Sequence, residues 1–237
     1  MVQRSARVLM SAAVCVAIAG CAHGPRGQTD QEHSWRETFG VDPGTLSTLG
    51  SNTCLPLRPG IAWTYRDGAT TLVVRVLDQP KVVDGVGTLV VEEREEAGGM
   101  LKELSHNYFA IEPRSGDVYY FGENVDIYSN QQLVTHEGAW RSGADGARFG
   151  LFLPGTPVVG DRFYQEMAPG VAMDRVEIVS VDERVETPAG VFDRCVHLRE
   201  STPLEGGTGH KWFAPGVGLV KDGSMVLVSY TGTGAAR

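Results

Sequence analysis

The sequence has no apolar run of about 20 residues, the length that a membrane-spanning helix needs. The apolar stretch from Val8 to Ile18 is broken only by Ser11, and it follows Arg4 and Arg7. A short apolar stretch behind a positively charged start is typical of a secretory signal peptide. The sequence therefore predicts that the chain is exported.

The four residues Ile18-Ala19-Gly20-Cys21 end this stretch and resemble a bacterial lipobox. The resemblance implies cleavage between Gly20 and Cys21, with a diacylglycerol and usually a third acyl chain on Cys21. An ordinary signal peptide with a chance cysteine is the alternative, although such a site needs only small residues. We favour the lipobox, which makes residues 1–20 a signal peptide and gives a stable anchor because two or more chains insert. Ala22 is not the aspartate that retains lipoproteins in the inner membrane, so in a diderm host we expect the periplasmic side of the outer membrane.

The chain is also poor in positive charge. It holds 21 Lys and Arg against 29 Asp and Glu, and the predicted signal peptide contains two of the arginines and no acidic residue. A protein this acidic gains nothing from phosphate backbones, so nucleic acid is not an expected partner. For the same reason we expect contact with an anionic membrane surface only through the lipid.

Helical periodicity is missing beyond residue 56, where no ten-residue stretch keeps a 3.6-residue apolar period. Strict alternation takes its place, as in Leu72, Val74 and Val76, which share one face of an extended chain. Asp-Gly pairs between β-rich runs predict hairpins with type I′ turns, which need positive φ at both central residues. These pairs stand at 67–68, 84–85 and 222–223. The patterns together predict an all-β fold.

An internal repeat of about 100 residues organises the β region. Gly60-Ile61-Ala62-Trp63 matches Gly160-Asp161-Arg162-Phe163, and the segment from His106 to Ala110 matches that from His210 to Ala214. Shared order with few identities predicts two pseudo-repeats that pack together as an antiparallel meander. The expected form is one open barrel or sandwich-like domain.

The domain limits follow from this repeat. We predict an all-β domain over residues 56–237, with repeat units at 56–122 and 155–222 and a connecting segment at 123–154. Residues 21–55 read as a polar tether. In it, Ser34-Trp35-Arg36-Glu37 matches a capping box, which predicts one or two helical turns through Phe39. That short helix either docks Trp35 on the domain, which we favour, or binds a partner.

Two blocks of the second repeat resemble a family of uncharacterised exported bacterial all-β domains, often lipoproteins. These blocks run from Thr187 to Cys195 and from Lys211 to Val220, with the patterns "PAG-x-F" and "W/Y-F/Y-A-PGVGLV". Tyr120-Phe121-Gly122-Glu123 and Gly138-Ala139-Trp140 also look like that group. The resemblance covers most of residues 56–222 and implies an extracytoplasmic all-β domain. It implies no catalytic residues.

The sequence lacks the familiar catalytic fingerprints, including Gly-x-Ser-x-Gly, His-Glu-x-x-His and the Walker A loop. His106 and His210 occupy matching repeat positions, which suggests either a symmetric ligand pair or two histidines at strand starts that face water. We favour the second, because no third ligand stands at useful spacing. The glutamates of 92–96 are read as a charged strand end in preference to a cation site. We expect no enzyme activity, no metal and no cofactor.

The chain is also poor in cysteine, with four in all. Cys15 lies in the predicted signal peptide and Cys21 is the predicted lipid site, which leaves Cys54 and Cys195 in an oxidising compartment. A disulfide between them would tie the start of the first repeat to the second. Unpaired thiols are the slightly favoured alternative, because the segment before Pro56 looks mobile.

The expected function is that of a membrane-anchored envelope lipoprotein that acts as a non-catalytic binding or assembly module. Its partners would be the membrane, through the lipid, and envelope proteins or a hydrophobic ligand. An apolar groove would be bordered by Trp63, Trp140, Phe163 and Trp212, although packing in the core is the more ordinary role of such residues. A purely structural accessory lipoprotein is the alternative, and a hydrolase with an unrecognised site is a third hypothesis.

Overall fold

The computed structural model of the protein describes residues 35–232. Within that range sixteen strands and one 3-10 helix, Pro43–Thr45, follow one another, and there is no α-helix. The first eight strands are β1 (Ala62–Asp67), β2 (Thr70–Val76), β3 (Lys81–Val83), β4 (Val86–Ala97), β5 (Met100–Ile111), β6 (Val118–Ser129), β7 (Gln132–Thr135) and β8 (Trp140–Arg141). The other eight are β9 (Arg148–Leu153), β10 (Arg162–Tyr164), β11 (Glu166–Met167), β12 (Arg175–Thr187), β13 (Gly190–Ser201), β14 (Gly209–Ala214), β15 (Gly218–Asp222) and β16 (Met225–Thr231). The predicted signal peptide, Cys21 and the first part of the predicted tether lie outside the described residues.

The strands form one antiparallel sheet in the order β10-β12-β13-β14-β15-β16-β1-β2-β4-β5-β6-β9-β11. The strands β3, β7 and β8 pair at the side of this path, β3 with β4 and the other two with β6. Because β10 at one end lies next to β9 near the other end, the sheet curls into a nearly closed barrel. The predicted all-β fold is confirmed. No helix among residues 35–232 is long and apolar enough to cross a membrane.

The barrel consists of two meanders with the same strand order, β1-β2-β4-β5-β6 and β10-β12-β13-β14-β15. Each begins with the same pair of backbone hydrogen bonds. Gly60 donates to Val76 and Val76 to Ile61, with N···O distances of 3.0 Å, while Gly160 donates to Ile178 and Ile178 to Asp161, at 2.8 and 2.9 Å. The matched Gly60 and Gly160 motifs of the sequence therefore mark equivalent backbone positions.

The Asp-Gly hairpins are present, but only one has the expected turn. Asp84 and Gly85 both have positive φ, 50° and 76°, as a type I′ turn requires. In the other two hairpins the aspartate is the last strand residue. There Gly68 and Gly223 hold the first central position, each with φ 54°. A glycine at that position is the mark of a type II′ turn.

The predicted tether is wrong for residues 35–55, which pack on the barrel. The backbone of Arg36 bridges to Phe163 on β10, and that of Ser47 bridges to Ile111 on β5. Asn52 is buried. Its Nδ2 donates to the Gly116 carbonyl at 2.9 Å, and its Oδ1 accepts the N–H groups of Cys54 and Leu55. The prediction took the polarity of this segment as a sign of exposure. Asn52 is polar but buried, and its side chain satisfies buried backbone groups.

The predicted helical turns through Phe39 are also absent, since the chain at Arg36 is extended and pairs with a strand. The short 3-10 helix starts later, where Asp42 accepts the N–H of Gly44 and Pro43 stands at the first turn. Trp35 nonetheless contacts the domain, with its ring 6.4 Å from that of Tyr164. Docking of this tryptophan, the favoured role, thus occurs without a helix.

The core is dominated by aromatic rings that join the two meanders. Phe152 on β9 lies between Phe109 of the first meander and Phe213 of the second, with ring centroids 5.0 and 6.3 Å apart. All three rings are fully buried. The connecting segment between the repeats thus supplies a central part of the shared core.

Candidate functional site

Polar and aromatic side chains of three strands meet on the outer face of the barrel. Glu183 on β12, His197 on β13, and His210 and Trp212 on β14 form what we call the histidine cluster. His197 lies opposite Trp212 in the β13–β14 register, and His210 precedes Trp212 by two residues, so all three share one face. The alternate residues, Leu198, Lys211 and Phe213, are fully buried on the inner face.

Glu183 joins the cluster where the β12–β13 hairpin is irregular. Val185 pairs with Phe192 but Glu183 pairs with Cys195, so β13 holds one extra residue between these pairs. Arg194 lies in that stretch with φ 57°. Such a bulge increases the local twist and re-aims the neighbouring side chains.

The Glu183 carboxylate is held by two hydrogen bonds. One oxygen lies 2.8 Å from Nδ1 of His197, and the other accepts the indole N–H of Trp212 at 2.7 Å. Partial burial acts to raise the pKa of Glu183, but these two hydrogen bonds and the nearby histidines hold it below its ordinary value. The carboxylate is therefore ionised at neutral pH, which keeps the proton of His197 on Nδ1.

The imidazoles of His197 and His210 extend the hydrogen-bonded chain that starts at Glu183. Nε2 of His197 lies 2.8 Å from Nδ1 of His210. With the His197 proton on Nδ1, its Nε2 accepts and His210 donates, which leaves Nε2 of His210 as the outer end of the chain. Partial burial lowers the pKa of His210, the electrostatic interaction with the neighbouring His197 and Arg199 adds to this effect, and Glu183 opposes it. His210 is therefore neutral at pH 7, with a lone pair on Nε2.

Trp212 is fixed between two neighbours. The His197 ring stacks on it with centroids 4.5 Å apart, and Nζ of Lys221 lies 4.8 Å from its ring centroid. Stacking and cation–π contact hold the ring in one orientation while leaving it partly exposed. The cluster thus presents an ordered aromatic ring beside an imidazole nitrogen that can accept a hydrogen bond.

The chemistry open to this cluster is proton transfer or ligand binding. Ser180 is the residue in register with His197, but its Oγ accepts the N–H of Asp182 at 3.3 Å and Nε2 of His197 faces His210. A nucleophile and base pair needs those two groups within hydrogen-bond reach of each other. The arrangement therefore contains a base without an adjacent hydroxyl nucleophile.

A second polar group lies on the inner face of the same strands. Nζ of the fully buried Lys211 contacts Glu200 at 2.7 Å and Asp222 at 4.0 Å. Burial raises the pKa values of Glu200 and Asp222, and the Lys211 ammonium opposes the rise. These carboxylates in turn raise the pKa of Lys211 above its ordinary value despite its burial. These ionic contacts link β13, β14 and β15 on the inner face of the sheet. We therefore assign this group a structural role.

The four aromatic residues predicted to border a groove do not have one common position. Trp63, Trp140 and Phe163 are core residues. The indole of Trp63 donates to the Val217 carbonyl at 2.6 Å, and that of Trp140 donates to Glu166 at 2.9 Å. Only Trp212 lies on the outer face, in the histidine cluster.

The matched histidines have different surroundings. His106 on β5 lies opposite Glu92, with Nε2 3.6 Å from its carboxylate, whereas His210 contacts His197. Within residues 35–232 no group of three or more His, Cys, Asp and Glu is arranged to hold a metal. Cys54 and Cys195 are both buried free thiols. Whether they pair in the predicted oxidising compartment stays a prediction.

No family model, no curated protein and no solved structure matches this chain. The resemblance to exported bacterial all-β domains therefore stays an expectation based on its motifs.

The sequence did not point to Glu183 and His197. Extending the Thr187–Gly190 pairing without a bulge places Glu183 opposite Arg194, away from His197. The signal that was available is the spacing of His210 and Trp212, which puts an imidazole and an indole on one strand face.

Proposed function

We propose that this protein is a lipid-anchored envelope protein that acts as a non-catalytic binding module, with the histidine cluster as its binding surface. The observation that carries the proposal is the fixed, partly exposed Trp212 beside the hydrogen-bonded chain from Glu183 to His210. Rigid aromatic groups with adjacent polar atoms are what recognition surfaces use. The role of the anchor is to concentrate this surface close to a membrane.

The placement of the polar groups supports recognition on the outside of the barrel. Phe109, Phe152 and Phe213 are buried between the two meanders, and the inner charges of Lys211 and Glu200 contact each other. Among residues 35–232, no hydrogen-bond partner is present for Nε2 of His210, the outer end of the hydrogen-bonded chain of the histidine cluster. A partner would pack on Trp212 and donate a hydrogen bond to Nε2 of His210.

Crosslinking in the envelope tests this function. A photoreactive residue is placed at Arg184, an exposed neighbour of Glu183, and the protein is crosslinked in wild-type, His210→Gln and His106→Gln backgrounds. We expect one adduct of defined mass that is lost with His210→Gln and kept with His106→Gln, the matched change in the first repeat. An adduct unaffected by either change would exclude the cluster as the binding surface and favour a purely structural accessory role.

A second function is favoured by one observation. The chain from Glu183 through His197 to His210 is a carboxylate–imidazole arrangement of the type that supports general base catalysis. Hydrolysis would then require His210 to activate a water molecule. Turnover of an ester, peptide or glycan that is lost with His197→Ala and His210→Ala, but kept with His106→Ala, would support this function. Turnover that survives all three changes would place the active site elsewhere.

A further inference from the structure

An aromatic and arginine-rich surface lies where the described chain begins. The guanidinium carbons of Arg175 and Arg162 lie 4.5 and 5.8 Å from the ring centroid of Trp35. Tyr164 packs edge-on against the same indole. These residues bring the N-terminal segment together with β10 and β12, at one end of the sheet order.

Two more arginines extend this surface. Arg148 contacts Glu37 at 3.6 Å, and Arg199 contacts Glu177. We call the set the arginine face: Trp35, Arg148, Arg162, Arg175 and Arg199. Arg36, the residue after Trp35, is not part of it, because its guanidinium lies over the Phe39 and Phe163 rings.

Positive charge exceeds negative charge at this face. Among residues 35–232, ion pairs join these arginines to Glu37 and Glu177, and Glu177 is shared, since Arg162 also lies 3.2 Å from it. The face therefore has four guanidinium groups against the two carboxylates of these ion pairs, in a chain whose formal net charge is −8. The sequence average conceals this local excess, because the arginines come from four separate segments that the fold brings together.

The face is also the part of the domain that follows the predicted anchor most directly. Only 13 residues separate Cys21 from Trp35. Even a fully extended chain of that length reaches no more than about 50 Å. A lipid on Cys21 would therefore keep the arginine face near the membrane surface.

We infer that the arginine face docks on anionic phospholipid headgroups of the membrane in which Cys21 is anchored. The inference rests on the proposed lipid anchor. Guanidinium groups match phosphate oxygens in a bidentate geometry. Tryptophan suits the boundary between apolar and aqueous layers, and Trp35 is only partly buried. Docking by this face would give the barrel a fixed orientation at the membrane, which an acyl anchor alone does not.

Vesicle binding is measured with a chain that starts at residue 22, which lacks the lipid-carrying Cys21 and contains every described residue. Any binding then reports headgroup recognition and not insertion of the lipid anchor. Sedimentation is compared for vesicles of phosphatidylcholine and of phosphatidylcholine with one quarter phosphatidylglycerol. We expect at least tenfold stronger association with the anionic vesicles at low salt. The association should be lost at high salt, where exposed charges are screened.

Matched charge changes test the location of binding. Arg148→Gln with Arg199→Gln removes two exposed arginines of the face, and Arg66→Gln with Arg114→Gln removes two exposed arginines elsewhere. We expect the first pair to lower the association at least fivefold and the second to change it less than twofold. Thermal unfolding of both pairs confirms that they are folded.

Equal binding to the two kinds of vesicle, or an equal loss in both pairs of variants, would overturn the inference. Palmitate labelling of the full chain reports on the anchor independently. If Cys21 is labelled but the protein does not bind anionic vesicles, the docking is excluded and the anchor is supported. If the protein binds anionic vesicles but carries no palmitate label, headgroup recognition is supported and the anchor is excluded.

Discussion

Phe109 on β5 and Phe213 on β14 pack against the same ring, that of Phe152 on β9. They stand in the matched segments 106–110 and 210–214 of the two repeats, so the ring between them joins equivalent positions of the two meanders. A repeat unit that cannot bury its apolar face alone needs such a neighbour.

The first prediction concerns this junction. Phe152→Ala removes a fully buried ring from between the meanders, so we expect a loss of about 3–5 kcal/mol in the free energy of unfolding. Urea unfolding followed by tryptophan fluorescence measures it. Phe39→Ala, which removes an only partly buried ring that packs on Tyr119, is the control and should cost clearly less. Equal losses in the two variants would contradict a central role for Phe152.

Local chemistry made the strands and the repeat predictable. Glycine at a hairpin turn and alternation along a strand each act over a few residues. The matched glycines Gly60 and Gly160 report the same local backbone in each half. The exact turn type was less accessible, because Gly68 can take either central position of a hairpin depending on where pairing ends.

The candidate site depends on contacts that local patterns do not contain. Glu183 meets His197 only because the β12–β13 hairpin carries a bulge at Arg194, and nothing in the residue types fixes where an extra residue is inserted. Asn52 reads as part of a polar linker, since its backbone partners are 64 and about 100 residues away. The arginine face is hidden for the same reason.

The second prediction concerns the buried lysine. Lys211→Met should lower the free energy of unfolding by about 3–5 kcal/mol at pH 8, because it leaves Glu200 and Asp222 buried without their cation. Adding Glu200→Gln should recover part of that loss, since one buried charge is then removed. Chemical denaturation of the single and double variants measures both effects. A double variant less stable than Lys211→Met would contradict this account.

The third prediction is a pH dependence from His210, whose pKa in the folded protein lies below the ordinary 6.5. The unfolded chain then takes up a proton as the pH falls through about 6.5, while the folded protein takes it up only at lower pH. Stability is therefore present above that pH and is lost as the pH falls, by at most about 1.4 kcal/mol per pH unit from this group.

Unfolding measured between pH 5 and 8 should show a shallower slope for His210→Gln than for the wild type. His106→Gln is the matched control and should keep the wild-type slope. The groups that face His210 are Glu183, His197 and Arg199, so the ionised carboxylate opposes the effect in part. Parallel curves for wild type and His210→Gln would rule out this titration.

The fourth prediction concerns the anchor. Cys21→Ser should abolish incorporation of labelled palmitate and leave unprocessed precursor, because the lipobox cysteine is the residue that carries the lipid. Fractionation should place the wild-type protein in the outer membrane of a diderm host, since Ala22 is not a retention signal. Continued labelling of Cys21→Ser would contradict the lipobox, and recovery of the wild type with the inner membrane would contradict the location.

The last prediction concerns Cys54 and Cys195. Both thiols are buried, and burial raises the pKa of each to about 11, so neither should react with a thiol reagent in the folded protein at pH 8. The segment around Cys54 is held by Asn52, which removes mobility as the reason to expect unpaired thiols. Burial in a packed core still gives each cysteine a role as a small apolar residue. We therefore expect two reactive thiols per chain after denaturation of the exported chain from residue 22 without reductant. If thiols appear only once a reductant is added, the two cysteines are joined by a disulfide that formed during export.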